Sequence, residues 1–222
     1  MNRPVLVLAS NSPRRRELLG LFGWRFQSRP TDVDESLRPE EAPNAYVLRL
    51  AESKARACAK PAHAVPVILA ADTTVVDGNV ILGKPKDRSE AAQMLRALRG
   101  RTHQVHTAIA VLRLADERLV TDLCVTDVPM RAYRDDEMEA YIATGDPLDK
   151  AGAYGIQNAG FHPVEGLTGC YASVMGLPLC HLARSLRKLD ILPATDIAAK
   201  CRSALGYACP ISSAVLRGEM VG

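Results

Sequence analysis

One stretch constrains this chain more than any other: Pro66-Val-Ile-Leu-Ala-Ala-Asp-Thr-Thr-Val-Val-Asp-Gly78. It begins as an unbroken apolar run over residues 65–71, the pattern of a strand covered on both faces. Asp72 interrupts the run, Thr73 and Thr74 follow, and Val75-Val76 lead into an Asp77-Gly78 turn signal. A carboxylate at the point where a buried strand emerges sits where open α/β sheets hold ligands. An aspartate that merely ends a strand looks the same, so Asp72 gains meaning only from the rest of the chain.

A chain of 222 residues, 47% hydrophobic and 24% charged, has room for one large domain or two small lobes with a substantial core. A net charge of +3, dispersed along the sequence, does not point to nucleic acid. The six cysteines form no C-x-x-C pair, so neither a zinc site nor a redox motif is indicated. No secretory signal precedes them, which leads to the expectation of reduced thiols in a cytoplasm. No apolar run approaches the ~18 residues of a membrane span.

Taken in order, residues 5–9 read as a first buried strand. Ser10-Asn11 turns the chain, and Ser12-Pro13 has the grammar of a helix start, serine at the N-cap and proline at the first helical position. Arg14, Arg15 and Arg16 then stand in the first turn, where the helix dipole disfavours cations by ~0.3–1 kcal/mol each. Free N–H groups, two serine hydroxyls and several guanidinium forks at a helix N-terminus suit an anion, most naturally phosphate. Residues 31–36, Thr-Asp-Val-Asp-Glu-Ser, form an acidic loop whose carboxylates are either solvated or hold a divalent cation. A helix follows over residues 45–60 with Val47, Leu50, Ala51 and Cys58 on one face. Lys54 falls in that apolar stripe and must either snorkel or meet an anion.

Beyond the central strand, Val80 to Leu82 return as a hairpin arm, and Lys84 sits in a loop bounded by Gly83 and Pro85. A helix capped by Asp87 or Ser89 ends at Gly100. Residues 102–114 and 119–130 alternate as two long strands. His103 and His106 are three apart on a strand and so face opposite sides, which argues against a shared metal ion. Asp135 opens another helix, and residues 145–157 make a glycine-rich loop open to close backbone approach by a ligand. Residues 169–174 read as a last strand, a helix runs on to about residue 189, and residues 190–222 form an extension with one helix over 195–205.

The chain thus combines an arginine-rich helix start, two lysines, and acidic groups at Glu35 and Asp72, with no G-x-x-x-x-G-K-[ST] loop and no kinase signature. Cations that clamp phosphate oxygens and carboxylates that hold a metal or activate water point to metal-assisted hydrolysis of a phosphate compound. Ala9-Ser-Asn-Ser-Pro-Arg-Arg15, Lys54-Ala55, Ala71-Asp-Thr73, Gly83-Lys-Pro85, Gly100-Arg-Thr-His-Gln-Val-His-Thr107, Asp149-Lys-Ala-Gly-Ala-Tyr-Gly-Ile-Gln157 and Val174-Met-Gly-Leu-Pro178 together closely resemble the Maf family.

That resemblance implies a nucleoside triphosphate pyrophosphatase of the branch acting on dTTP and UTP, with a divalent cation, Mg or Mn, as cofactor. The implied fold is α/β and two-lobed, built around a long mixed sheet with flanking helices and a central cleft, and shared with the inosine-triphosphatase group. It would span residues 1–189, leaving 190–222 as an extension of unassigned role. By the same resemblance Ser10, Ser12, Arg14 and Arg15 grip the triphosphate with Lys54 and Lys84. Asp72 is the proton acceptor, and Glu35 is its acidic partner at the metal. Arg14, Thr73 and Gln157 choose the base. A glutamine amide pairs with a pyrimidine's imide edge, which makes chemical sense of that choice. The expected partners are the nucleotide and a second copy of the chain as a homodimer, with neither nucleic acid nor membrane. A binding protein controlling cell division would keep the cations but lose the acids, and both acids are present.

Overall fold

Strand β3 (Val67–Asp77) pairs with three other strands of a mixed sheet, and the rest of the molecule is hung from it. A computed structural model describes residues 6–59, 67–193 and 195–222. Val5, Lys60, Val65 and Pro66, which the sequence assigns to a strand, a helix end and the apolar run, lie outside the described residues. The sheet order is β2-β1-β3-β5-β6, with β1 (Leu6–Leu8) and β2 (Phe26–Ser28) parallel to β3, β5 (Thr102–Arg113) antiparallel to β3, and β6 (Arg118–Pro129) antiparallel to β5. A short β4 (Val80–Leu82) folds back on the far end of β3 through a tight turn in which Gly78 takes φ +62°. The three-residue β2 is too short for period-two patterning to betray it, and its pairing with β1 alone makes it a strand.

Both faces of β3 are covered, as its apolar run requires. On one face α2 (Pro43–Ala59) packs Val47, Ala51, Ala55 and Cys58 onto Val7, Ile68, Ala70, Ala108 and Ala110. Alanine against alanine lets the helix lie close to the strands. The other face carries the larger core, contributed by α1 (Pro13–Gly20), α3 (Arg88–Leu98), α4 (Asp135–Ala143) and α6 (Leu179–Arg187) against Leu69, Val75, Val105 and Ile109. The helix starts follow their caps. Ser12 accepts from the Arg15 N–H with Pro13 at the first position, and Asp87 accepts from the Glu90 N–H.

One expected strand is instead helical. Residues 171–174 form α5 (Tyr171–Val174), closed by Val174 N–H to Cys170 O at 3.3 Å and Met175 N–H to Tyr171 O at 3.1 Å. This segment lies across the face of β5 and β6 rather than along a sheet edge. Only a helical turn can satisfy its backbone groups there. The glycine-rich loop likewise contains two short 3₁₀ turns, Asp146–Asp149 and Ala151–Ala153. No helix among the described residues is long and apolar enough to cross a membrane.

The extension folds as α7 (Ile197–Leu205), capped by Asp196, and α8 (Ser212–Arg217), which sequence patterning missed. Both pack on α6 through Val215, Ala198 and Cys180. The end of the chain is held by Arg184 Nη1 donating to Glu219 O at 2.6 Å and by His181 Nε2 donating to Val221 O at 3.0 Å. Arg184 is itself fixed by a buried two-bond pair with Asp122 of β6, at 2.7 and 2.8 Å. Removing one charge from a buried pair strands the other. Asp122→Asn should therefore destabilise the fold by about 3 kcal/mol, lowering Tm by roughly 6–12 °C in calorimetry. An unchanged Tm would show that the pair does not anchor α6 and the extension.

Candidate functional site

Pairing along one edge of β3 is interrupted. β1 runs beside it only from Val67 to Leu69, and β4 joins only at Val75. Residues 70–74 therefore border a notch on that edge, and Asp72 and Thr73 lie in the middle of it. The chain leaving β1 turns directly into the N-terminus of α1, and the chain leaving β4 delivers Lys84, so both ends of the notch are lined with cations. A cavity of about 700 Å³ fills it. Ser10, Ser12, Arg14, Arg15, Glu35, Lys54, Asp72, Thr73, Lys84 and Gln157 all line this one cavity, so every residue to which the resemblance gives a role converges there, whereas Arg16 turns to Asn11 O.

Successive residues of a strand face opposite sides, and the notch uses both. Asp72 lies on the α2 face, only 7% exposed. Lys54 Nζ donates to Asp72 Oδ1 at 2.6 Å and also lies 2.7 Å from Glu35 Oε1. The lysine in the apolar stripe thus meets anions. It holds the exposed acidic loop against the buried aspartate, and one of its three protons remains for a ligand. Burial pushes the Asp72 carboxyl above the usual aspartate range; Lys54 and Arg15 oppose the shift, and Glu35 adds to it. Tyr46, two turns before Lys54 on the same side of α2, lines the cavity and donates to Glu35 O at 2.9 Å. The i, i+4, i+8 series Tyr46, Leu50, Lys54 was the available signal for it.

Thr73 lies on the opposite face, beside Arg15. The Arg15 Nε donates to Gly176 O at 2.9 Å, Nη2 to Thr73 Oγ1 at 3.1 Å and Nη1 to Ser10 Oγ at 3.4 Å. Of five guanidinium N–H groups, three are taken, leaving one on each terminal nitrogen, the fork that suits a phosphate. Gly176 has φ +106°, and a Cβ there would press on Thr73 Oγ1 at 3.3 Å and Arg15 Nε at 3.4 Å, so only glycine fits. Burial lowers the pKa of Arg15, with the Asp72 charge offsetting.

The remaining wall is the glycine-rich loop. The Lys150 ammonium is fully occupied by Asp146 O at 2.6 Å, Asp146 Oδ1 at 2.8 Å and Asp149 Oδ1 at 2.6 Å. It braces the loop. Asp149 in turn stands 3.7 Å from Arg14. Lys84 has no ion pair or hydrogen bond among the described residues and is exposed at the mouth. Gln157 is exposed, with its Nε2 close over Gly155. Tyr154 forms part of the apolar end, its hydroxyl turned away to His103 Nε2 at 2.8 Å.

No group of three or more His, Cys, Asp or Glu side chains among the described residues forms a protein-only metal cage. Glu35 and Asp72, brought together by one ammonium, are a two-carboxylate set. Such a set suits Mg²⁺ or Mn²⁺, which fill their remaining positions with water and phosphate oxygens. His103 and His106 do not join in: their Nε2 atoms meet Tyr154 and Gln104 respectively.

Fold and cleft together define an α/β protein in which cations and paired carboxylates line one cavity. The chain belongs to the family described as Maf-like protein, whose model matches residues 5–189. It is 48% identical over 189 residues to a dTTP/UTP pyrophosphatase of Escherichia coli O157:H7, covering 84% of this chain and 94% of the relative. It is 47% identical over 199 residues to a dTTP/UTP pyrophosphatase of Methylobacillus flagellatus, covering 88% and 98%. Among solved structures, the Ham1 protein of Staphylococcus aureus aligns over 73% of this chain and 80% of its own, with a TM-score of 0.44 and 14% identity.

The cleft wall carries its own acid sensitivity. His103 is 3% exposed and burial pulls its pKa from 6.5 to about 4. Arg101 adds to the shift and Asp77 opposes it. Below pH 6.5 the unfolded chain takes a proton that the folded one refuses. Stability is therefore complete above that pH and is lost as pH falls toward 4, by up to about 3 kcal/mol. Tm measured from pH 7 to 4.5 should fall less steeply in His103→Gln than in wild type; equal slopes would remove His103 as the cause.

Proposed function

We propose that this chain is a nucleoside triphosphate pyrophosphatase that hydrolyses dTTP and UTP to the nucleoside monophosphate and pyrophosphate. The observation that carries the reading is the buried Asp72, its pKa raised, set in one notch between the Lys54–Glu35 contact and the open fork of Arg15. The relatives named dTTP/UTP pyrophosphatase support the substrate class. Arg15, Arg14 and Lys84 bind the phosphate oxygens, with Ser10 and Ser12 at the α1 N-terminus, and Lys54 contributes its remaining proton. Asp72 accepts the proton of the attacking water. Water adds to the α-phosphorus, the α–β bridging bond breaks, and pyrophosphate leaves held by the same cations. Glu35 and Asp72 would hold a Mg²⁺ or Mn²⁺ ion, which supplies charge neutralisation and an acidified water.

The catalytic unit in this proposal is residues 1–189, with 190–222 an extension braced on α6, and the working form is a cytoplasmic homodimer. All six cysteines are free, which suits a reducing compartment. Incubation with dTTP and Mg²⁺ should give dTMP and pyrophosphate in equal amounts, and orthophosphate as the sole inorganic product would overturn the reading. Asp72→Asn keeps the shape and removes the charge, so kcat should fall at least ~10²-fold. Wild-type turnover in that variant would sink the mechanism.

Base choice rests on Gln157 with Arg14 and Thr73. The Gln157 carbonyl can accept from a pyrimidine N3–H while its amide donates to a ring carbonyl. Gln157→Glu removes both donors and adds a charge near the phosphates. The preference for dTTP and UTP over purine triphosphates should collapse, and unchanged relative kcat/KM values across the bases would show that Gln157 does not read the base.

A further inference from the structure

Arg15 is anchored by a line of hydroxyls that runs from the cleft into the sheet. Thr107 of β5 pairs directly with Thr73 of β3, and their Oγ1 atoms are 3.0 Å apart. Thr107 Oγ1 is also 2.9 Å from Ser173 O, at the end of α5. The side chain is fully buried and is absent from the cavity lining, so it cannot touch a ligand.

Proton accounting fixes the direction of this line. A carbonyl only accepts, so the single Thr107 proton goes to Ser173 O. The Thr73–Thr107 contact then needs the Thr73 proton, and Thr73 Oγ1 is left presenting lone pairs to the cleft side. Arg15 Nη2 donates to that oxygen at 3.1 Å. The same short segment supplies the other anchor, Gly176 O to Arg15 Nε at 2.9 Å, and the Gly176 N–H closes onto Ser173 O at 2.8 Å. Two of the three acceptors that set the guanidinium plane therefore trace back to Ser173. Without Thr107 the Thr73 proton loses its acceptor, and nothing fixes the rotor that keeps the Thr73 lone pairs on the guanidinium.

We propose that Thr107 is a positioning residue of the phosphate site, acting through Thr73 to hold the Arg15 fork on the phosphates. The proposal rests on the pyrophosphatase reading. Thr107→Val keeps the β-branched shape and puts a methyl in place of the hydroxyl, removing both its donor and its acceptor. Ser173 O still accepts from Gly176, so the variant does not strip that carbonyl. Because Arg15 grips ground state and transition state alike, the loss falls on KM rather than kcat.

Steady-state kinetics with dTTP and Mg²⁺ on Thr107→Val, Thr107→Ser, Arg15→Lys and Thr107→Val/Arg15→Lys test this. Thr107→Val should raise KM about tenfold with kcat changed less than about threefold, the scale of a hydrogen bond to a charged group. Thr107→Ser, which restores the hydroxyl, should return KM to within about twofold of wild type. In the Arg15→Lys background the Val change should add less than about twofold, because the fork it positions is gone. A normal KM in Thr107→Val, a Ser variant as impaired as Val, or fully additive losses would each overturn the proposal. If Thr107→Val does not fold, Thr73→Val removes the same bond from its cleft end, and a wild-type KM there overturns the proposal equally. If wild type forms no pyrophosphate from dTTP, the pyrophosphatase reading fails instead. Calorimetric binding of inorganic pyrophosphate then decides: weaker Kd in Thr107→Val supports the positioning role, and equal Kd or no binding to wild type overturns it.

Discussion

The site exists because β3 is longer than the partners along one of its edges. Pairing with β1 stops at Leu69 and pairing with β4 resumes at Val75, so a short piece of fully supported strand is left with one bare edge. On the opposite edge β5 pairs with it without interruption from Val67 to Val76, which keeps the bare piece rigid. A ligand can approach the edge of a strand whose position is already determined, and the segments that leave β1 and β4 necessarily start at the two ends of the gap. The helix N-terminus with its arginines and the loop bearing Lys84 are brought together by this one break in pairing.

Two buried ion pairs show what separates a structural contact from a chemical one here. Arg184 and Asp122 close on each other through two bonds, and Glu219 O and Ser185 Oγ add one further contact to each. The pair is packed away from the cavity that holds Asp72, so it meets no ligand there. Lys54 and Asp72 are as close, but the ammonium is shared with Glu35 and Asp72 accepts through one oxygen. The carboxylate is buried enough for its pKa to rise, with its charge only partly compensated. That is poor design for stability and a reasonable arrangement for a group that must take up a proton or an ion.

Much of this was legible along the chain because it broke local rules. Asp72 interrupts an apolar run, arginines occupy a helix start that favours acids, and Lys54 stands in an apolar stripe. Each anomaly proved to face the same cavity. What stayed hidden obeys local rules or depends on distant partners. Thr107 looks like any threonine in an alternating strand, and only the register with Thr73 and the approach of α5 give it a task. Residues 171–174 carry a strand-like composition, yet their position over the sheet face makes them helical. The sequence gives Lys150 no partner, and only the loop's fold shows that Asp146 and Asp149 occupy it.

The alternation of a strand explains why so few residues suffice. Asp72 and Thr73 are neighbours in sequence, yet the pleat sends one toward α2 and the other toward α1 and α5. In the interior of a sheet those two directions belong to separate cores that cannot meet. At a bare edge the two faces join around the backbone, and a ligand lying there touches both. The acidic side of the notch, Asp72 with Lys54 and Glu35, and the cationic side, Thr73 with Arg15, are thus set by consecutive residues of one rigid strand. A one-residue slip of β3 would exchange them, placing the carboxylate against Arg15 and the hydroxyl against Lys54. The ten-residue pairing with β5 from Val67 to Val76, with its apolar side chains alternating between two cores, is what forbids that slip.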